Sequence, residues 1–170
     1  NPVHLDTKGI KDYIEAKTVM VTGAGGSIGS ELCRQLARFS PKLLIFYEMS
    51  EYALYLIETE FQDKYPTIAF RSIIGDVKSK SRVSETLHKY KPQIILHAAA
   101  YKHVPLMETG NVKEAFNNNV YGTLNVASLA KEASVDDFIL ISTDKAVNSS
   151  NVMGATKRLA EMVCESLQQN

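Results

Sequence analysis

Thr18-Val19-Met20-Val21-Thr22-Gly23-Ala24-Gly25-Gly26-Ser27-Ile28-Gly29-Ser30 runs from a β-branched apolar stretch through a loop with glycines at i, i+3 and i+6 into a helical pattern. Thr18 to Thr22 reads as a strand. From Ser27 onward Ile28, Leu32, Leu36 and Phe39 recur at spacings of three and four, and Ser40-Pro41 ends the helix. In this context each glycine has a purpose. Gly23 takes the tight turn off the strand, Gly26 lets the backbone approach a pyrophosphate, and Gly29 lets the helix pack close to the sheet. The helix amino end at Ser27 and Ile28 offers free N–H groups to an anion. A glycine-rich turn without a ligand is the competing reading, and the flanking strand and helix weigh against it.

The alternation continues along the chain. Lys42 to Tyr47, Thr67 to Ile74, Gln93 to His97 and Asp137 to Ser142 predict four more strands. Glu51 to Lys64, Ser79 to Tyr90, Val112 to Ala133 and Val152 to Leu167 predict helices, and a short helix around Gly9 to Ile14 falls in the polar lead-in, residues 1–17. Strands apolar on both faces that alternate with helices require a parallel sheet covered on both sides. The expected fold is α/β, a Rossmann-like doubly wound parallel sheet of about five strands, forming one dinucleotide-binding domain over residues 18–170.

The chain has 170 residues, 45% hydrophobic and 22% charged, in the range of one globular domain with a buried core. Lys plus Arg equals Asp plus Glu at 19 each, so nothing electrostatic points to nucleic acid or an anionic membrane surface, and a small-molecule partner is expected. Cys33 and Cys164 both fall in helical segments, which argues against a disulfide framework, and no metal site is expected. No leader pattern and no apolar run of about 18 residues is visible, so the expectation is a cytoplasmic chain without membrane contact of its own.

Glu48 stands at the end of the second predicted strand, about 20 residues after the loop, where a carboxylate accepts from the adenosine ribose hydroxyls and repels a 2′-phosphate. NAD is therefore expected, with NADP as the second choice. Asp76, followed by Val77, ends the third strand and can accept from the adenine amino group, although a turn-capping aspartate is nearly as good a reading. In open parallel sheets, ligands meet the carboxyl ends of strands, which directs attention to Ala98–His103 and Ser142–Asn148. Ala98, Ala99 and Ala100 leave room for a flat cofactor, whereas His97 reads as a satisfied buried histidine rather than a catalyst.

Met153-Gly154-Ala155-Thr156-Lys157 resembles the Tyr-x-x-x-Lys helix of short-chain dehydrogenases, with methionine in place of tyrosine. Together with Thr22–Ser30, His97–Glu108 and Ser142-Thr143-Asp144-Lys145-Ala146-Val147-Asn148, it makes nearly the whole chain similar to the nucleotide-sugar 4,6-dehydratases of polysaccharide biosynthesis. These are extended members of the same superfamily. The resemblance is closest to their long, membrane-tethered branch, in which this methionine is typical and the substrate is usually UDP-N-acetylglucosamine. It implies hydride transfer from sugar C4 to NAD, loss of water across C5 and C6, and return of the hydride to C6.

In that scheme Asp144 protonates the departing C6 hydroxyl, Lys145 removes the C5 proton and Thr143 bonds the sugar O4. Lys157 fixes the nicotinamide ribose and polarises the site, while Met153 occupies the position of the missing tyrosine. The resemblance also implies Asn119 in the cofactor-binding set and Lys102 and His103 in the substrate-binding set. It further implies a substrate lobe beyond Asn170, a homodimer formed through the helices Val112–Ala133 and Val152–Leu167, and a place as the cytoplasmic part of a membrane-tethered protein. A UDP-sugar 4-epimerase is the alternative enzyme, distinguished by needing no elimination pair such as Asp144-Lys145. A dinucleotide-binding fragment without turnover is the alternative outside enzymes.

Overall fold

Five parallel strands in the order β3-β2-β1-β4-β5 form the central layer. The computed structural model describes residues 6–143, 146 and 151–168. Along the chain, α1 (Thr7–Ile14), β1 (Thr18–Thr22), α2 (Ser27–Ala37), β2 (Leu43–Glu48), α3 (Glu51–Lys64), β3 (Phe70–Ile74), α4 (Lys80–Tyr90) and β4 (Ile94–His97) follow one another. Then come α5 (Val104–Glu108), α6 (Val112–Phe116), a π-helical turn at Asn117–Tyr121, α7 (Gly122–Glu132), β5 (Asp137–Leu140) and α8 (Val152–Gln168).

The strand sequences explain the two-sided cover. Every residue of β1 is buried, and alternate side chains point to opposite faces. Val19 and Val21 join Leu44, Phe46, Ile94 and Leu96 beneath Cys33 and Leu36 of α2 and Leu54, Ile57 and Phe61 of α3. Met20 joins Ile45, Tyr47 and Ile95 on the other face, under Val83 and Leu87 of α4 and Val126 and Ala130 of α7. Phe46 and Phe61 meet edge-on with centroids 4.8 Å apart, a geometry that adds about 1 kcal/mol to what their burial contributes. Ser50 and Ser79 start α3 and α4 by accepting from Ala53 N and Arg82 N at 3.3 and 3.4 Å.

The strand order locates the crevice. The chain winds outward from β1 through β2 to β3, then returns to β4 and winds the other way to β5. The loops leaving β1 and β4 therefore diverge, and a parallel sheet opens its ligand crevice at such a reversal. Among the described residues no helix is long and apolar enough to cross a membrane.

Three elements differ from the sequence expectation. The third strand begins at Phe70, because Tyr65 to Ile68 closes a turn around Pro66, with Ile68 N donating to Tyr65 O at 3.0 Å. Val104–Glu108 forms a helix that was not expected. The single helix expected over Val112–Ala133 is interrupted by the π-helical turn, a local i to i+5 widening that recurs at functional sites.

Candidate functional site

The site starts from the backbone of the loop after β1. Gly23 adopts φ +67°, and a Cβ there would lie 2.8 Å from the Ala98 carbonyl oxygen and the Ala99 nitrogen. Its N–H donates to Tyr47 O at 2.8 Å. A Cβ on Gly29 would lie 2.0 Å from the Gly23 oxygen, so the first turn of α2 sits against the loop backbone rather than simply against the sheet. Gly26 is the N-cap of α2 and no side chain caps that end, which leaves its first amides for an anion. Lys102 reaches back to donate from Nζ to Ser27 Oγ and so adds a cation at the same helix end. The resemblance implied that Lys102 meets the sugar; the structure places it both beside the loop and in the lining of the hollow that holds Thr143 and Lys157.

Glu48 ends β2 with both oxygens engaged: Oε2 accepts from Gly25 N at 3.0 Å and Oε1 from Ser50 N at 2.9 Å. A carboxylate has about four acceptor sites, so two remain for ribose hydroxyls. Asp76 does cap its turn, accepting from Lys78 N at 2.8 Å and pairing with Lys78 Nζ at 2.9 Å. Its carbonyl accepts from the Tyr47 hydroxyl at 3.0 Å, and the Val77 carbonyl accepts from Asn125 Nδ2 at 2.6 Å. Gly23, Gly26, Tyr47, Glu48, Asp76 and Val77 line one cleft with Ala98, Ala99, Ala100, Tyr101 and Asn118.

A second hollow continues that cleft, sharing Ala98, Ala100 and Tyr101 with it and adding Ile28, Lys102, Ile141, Ser142, Thr143, Met153 and Lys157. The groove so formed follows the carboxyl ends of β3, β2, β1, β4 and β5. The small Ala98–Ala100 floor, the uncapped helix end and the acid at the end of β2 suit a dinucleotide. Lys157 is buried and donates from Nζ to Ile141 O at 2.6 Å. Burial holds its pKa below that of an ordinary lysine, against the Glu161 carboxylate, which raises it. Met153 packs with Met107 and Ala115 and presents a thioether, which cannot exchange a proton. Thr143 lies in the hollow. Asp144 and Lys145 lie outside the described residues. His103 lines an adjoining depression that shares Ala100, Tyr101 and Lys102 with the groove and adds Leu106, Met107, Asn111 and Glu114.

Behind the groove runs a buried polar chain. Thr123 donates from Oγ1 to Asn119 O at 2.7 Å, so toward His97 Nε2, 3.1 Å away, it can only accept. Nε2 therefore carries the imidazole proton, and Nδ1 accepts from Thr22 Oγ1 at 2.7 Å. Burial, reinforced by the charge of Lys157, brings the His97 pKa down to about 3. The histidine is neutral and saturated.

Asn119, implied by the resemblance to bind cofactor, is also fully engaged. It accepts from Tyr101 N at 2.8 Å and donates to Tyr101 O and Thr156 Oγ1 at 3.1 and 3.0 Å. Its neighbour Asn118 lines the cleft instead. Both residues lie in the π-helical turn. Sequence reasoning also passed over Tyr47, Tyr101 and the contact of Ser142 with Glu161. Glu161 stands four residues after Lys157, a helical spacing that was a usable signal.

Residues 19–170 match the family described as "Polysaccharide biosynthesis protein". The chain is 52% identical over 171 aligned residues to the capsular polysaccharide biosynthesis protein CapD of Staphylococcus aureus, covering all of this chain and 28% of that protein. It is 35% identical to a UDP-N-acetylglucosamine 4,6-dehydratase (inverting) of Campylobacter jejuni, over 83% of this chain and 40% of the relative. Among solved structures, Pen from Bacillus thuringiensis superposes with a TM-score of 0.85 at 31% identity, over 93% of this chain and 47% of the other. The chain thus spans less than half the length of each of these proteins.

Proposed function

The chain belongs to the polysaccharide biosynthesis protein family, and from that premise we propose that it is the dinucleotide-binding part of an NAD-dependent UDP-N-acetylglucosamine 4,6-dehydratase. The observation that carries the reading is the continuity of the groove. The cleft between the glycine loop and Glu48 and the hollow that holds Thr143, Met153 and Lys157 adjoin, with Ala98, Ala100 and Tyr101 in the lining of both. The 35% identity to a protein of that activity supports the choice of substrate.

Bound NAD would take a hydride from sugar C4 and return it to C6. The uncapped amides of α2, with Lys102 beside them, hold the pyrophosphate, and Glu48 accepts from the ribose hydroxyls while repelling a 2′-phosphate. Lys157, held under Ile141, bonds the nicotinamide ribose. Its ammonium also favours negative charge developing on the sugar O4 as the C4 hydroxyl proton leaves through the Thr143 hydroxyl to solvent. Asp144 protonates the departing C6 hydroxyl and Lys145 takes the C5 proton.

Incubation of the full-length protein with UDP-N-acetylglucosamine and NAD, followed by NMR of the product, tests the reading. A C6 methyl signal, lost in Lys145→Ala and Asp144→Asn, is the expected result. Unchanged product in both variants refutes the assignment of the pair, and a C4 epimer without the methyl identifies an epimerase. Calorimetry with NAD and NADP is expected to show the tighter binding for NAD, reversed or abolished by Glu48→Arg.

A further inference from the structure

The exit of β5 is held to α8 at two consecutive points. Lys157 Nζ donates to the carbonyl of Ile141 at 2.6 Å, and Ser142 Oγ donates to Glu161 Oε1 at 2.5 Å. Lys157 and Glu161 are four apart and so share one face of the helix. The two contacts together define the position and direction of the segment that continues into Thr143. The other Glu161 oxygen accepts from Arg158 Nη1 at 2.9 Å, and Arg158 lies 3.5 Å from Glu165. The carboxylate is therefore braced from its own helix while it holds the strand exit.

We propose that Glu161 is a positioning residue of the groove: its carboxylate anchors Ser142, and with Lys157 it fixes the Ile141–Thr143 segment against α8. A charged acceptor for the Ser142 hydroxyl makes a stronger bond than a neutral one, and it sits beside the only contact described for the Lys157 ammonium. The charged or titratable groups around that ammonium are Glu161 and Cys164 on α8 and His97 from β4, with Lys102 lining the same hollow from the loop after β4. Of these, Glu161 supplies the negative charge. It raises the Lys157 pKa against burial. That Thr143 and Lys157 belong to a catalytic hollow rests on the dehydratase reading; the clamp itself does not.

The test is hydrogen exchange of the peptide containing residues 141–143 in the full-length protein, read together with the pH dependence of turnover. Ser142→Ala and Glu161→Ala are each expected to speed that exchange about tenfold, the effect of losing one charge-assisted hydrogen bond. The double variant should be no faster than either single one, because both remove the same contact. Glu161→Gln, which keeps an acceptor, should restore most of the protection. In turnover the same variant should move the limb that reports Lys157 to lower pH by about half a unit to one unit. Ser142→Ala should lower kcat and leave KM and that limb in place. Unchanged exchange in the single variants, or additive effects in the double, overturns the clamp. A pH limb that Glu161→Gln does not move overturns the electrostatic part. If the wild-type protein fails to turn over UDP-N-acetylglucosamine, the dehydratase reading falls, and the exchange cycle still decides the clamp.

Discussion

At the scale of single residues, His97 carries the sharpest expectation about pH. Its folded pKa of about 3 lies below the ordinary 6.5, so the unfolded chain binds the extra proton first. The stabilisation is complete above pH 6.5 and is lost as the pH falls toward 3, at about 1.4 kcal/mol per pH unit for this one group. Denaturant unfolding between pH 4 and pH 7 should show that slope in the wild type, and a His97→Asn variant, though less stable at pH 7, should lack that contribution to it. An equal slope in both would contradict the assignment. Gly29 gives a steric test of the same kind. A Cβ placed 2.0 Å from the Gly23 oxygen must push α2 off the loop, so Gly29→Ala is expected to cost about 3 kcal/mol of stability and to weaken dinucleotide binding. Thermal unfolding and calorimetry measure the two effects.

At the scale of elements, the alternation of strand and helix was legible because each unit carries its own period and its own stop, as Ser40-Pro41 does after α2. The loop residues Gly23, Gly26 and Gly29 were legible for the same local reason. The π-helical turn was not, since it depends on how Asn117–Tyr121 meets the rest of the fold, with Gly122 so close to Val77 that a Cβ would lie 2.8 Å from its Cγ2. Within that turn Asn119 braces Tyr101 and Thr156. Lys102 escaped a local reading too, because its reach to Ser27 spans 75 residues of sequence. Asn119→Ala would take from the Tyr101 N–H and carbonyl their side-chain partner, while the Thr156 hydroxyl keeps its bond to Met153 O, at an expected cost of about 2–3 kcal/mol. The variant should also lose dinucleotide affinity, since Tyr101 lines the cleft. Wild-type affinity with lowered stability would confine Asn119 to the scaffold.

At the scale of the whole molecule, α7 and α8 lie side by side and leave Leu124, Leu159 and Met162 exposed together with Phe116 and Tyr121. Apolar surface gathered on two adjacent helices is the kind of face that a two-fold partner covers. The expected outcome is a dimer in light scattering of the full-length protein, and monomers after Leu159→Glu combined with Met162→Glu. An unchanged mass would place the contact elsewhere.

The tautomer of His97 has a consequence for observation. A ring N–H in water exchanges its proton too fast to follow, but this one is enclosed between β4 and α7 and bonded to Thr123. Its exchange must wait for α7 to leave the sheet or for the molecule to open altogether. The imidazole proton is therefore a built-in clock: its downfield resonance, and the time it takes to disappear in heavy water, report how often the layer behind the groove comes apart.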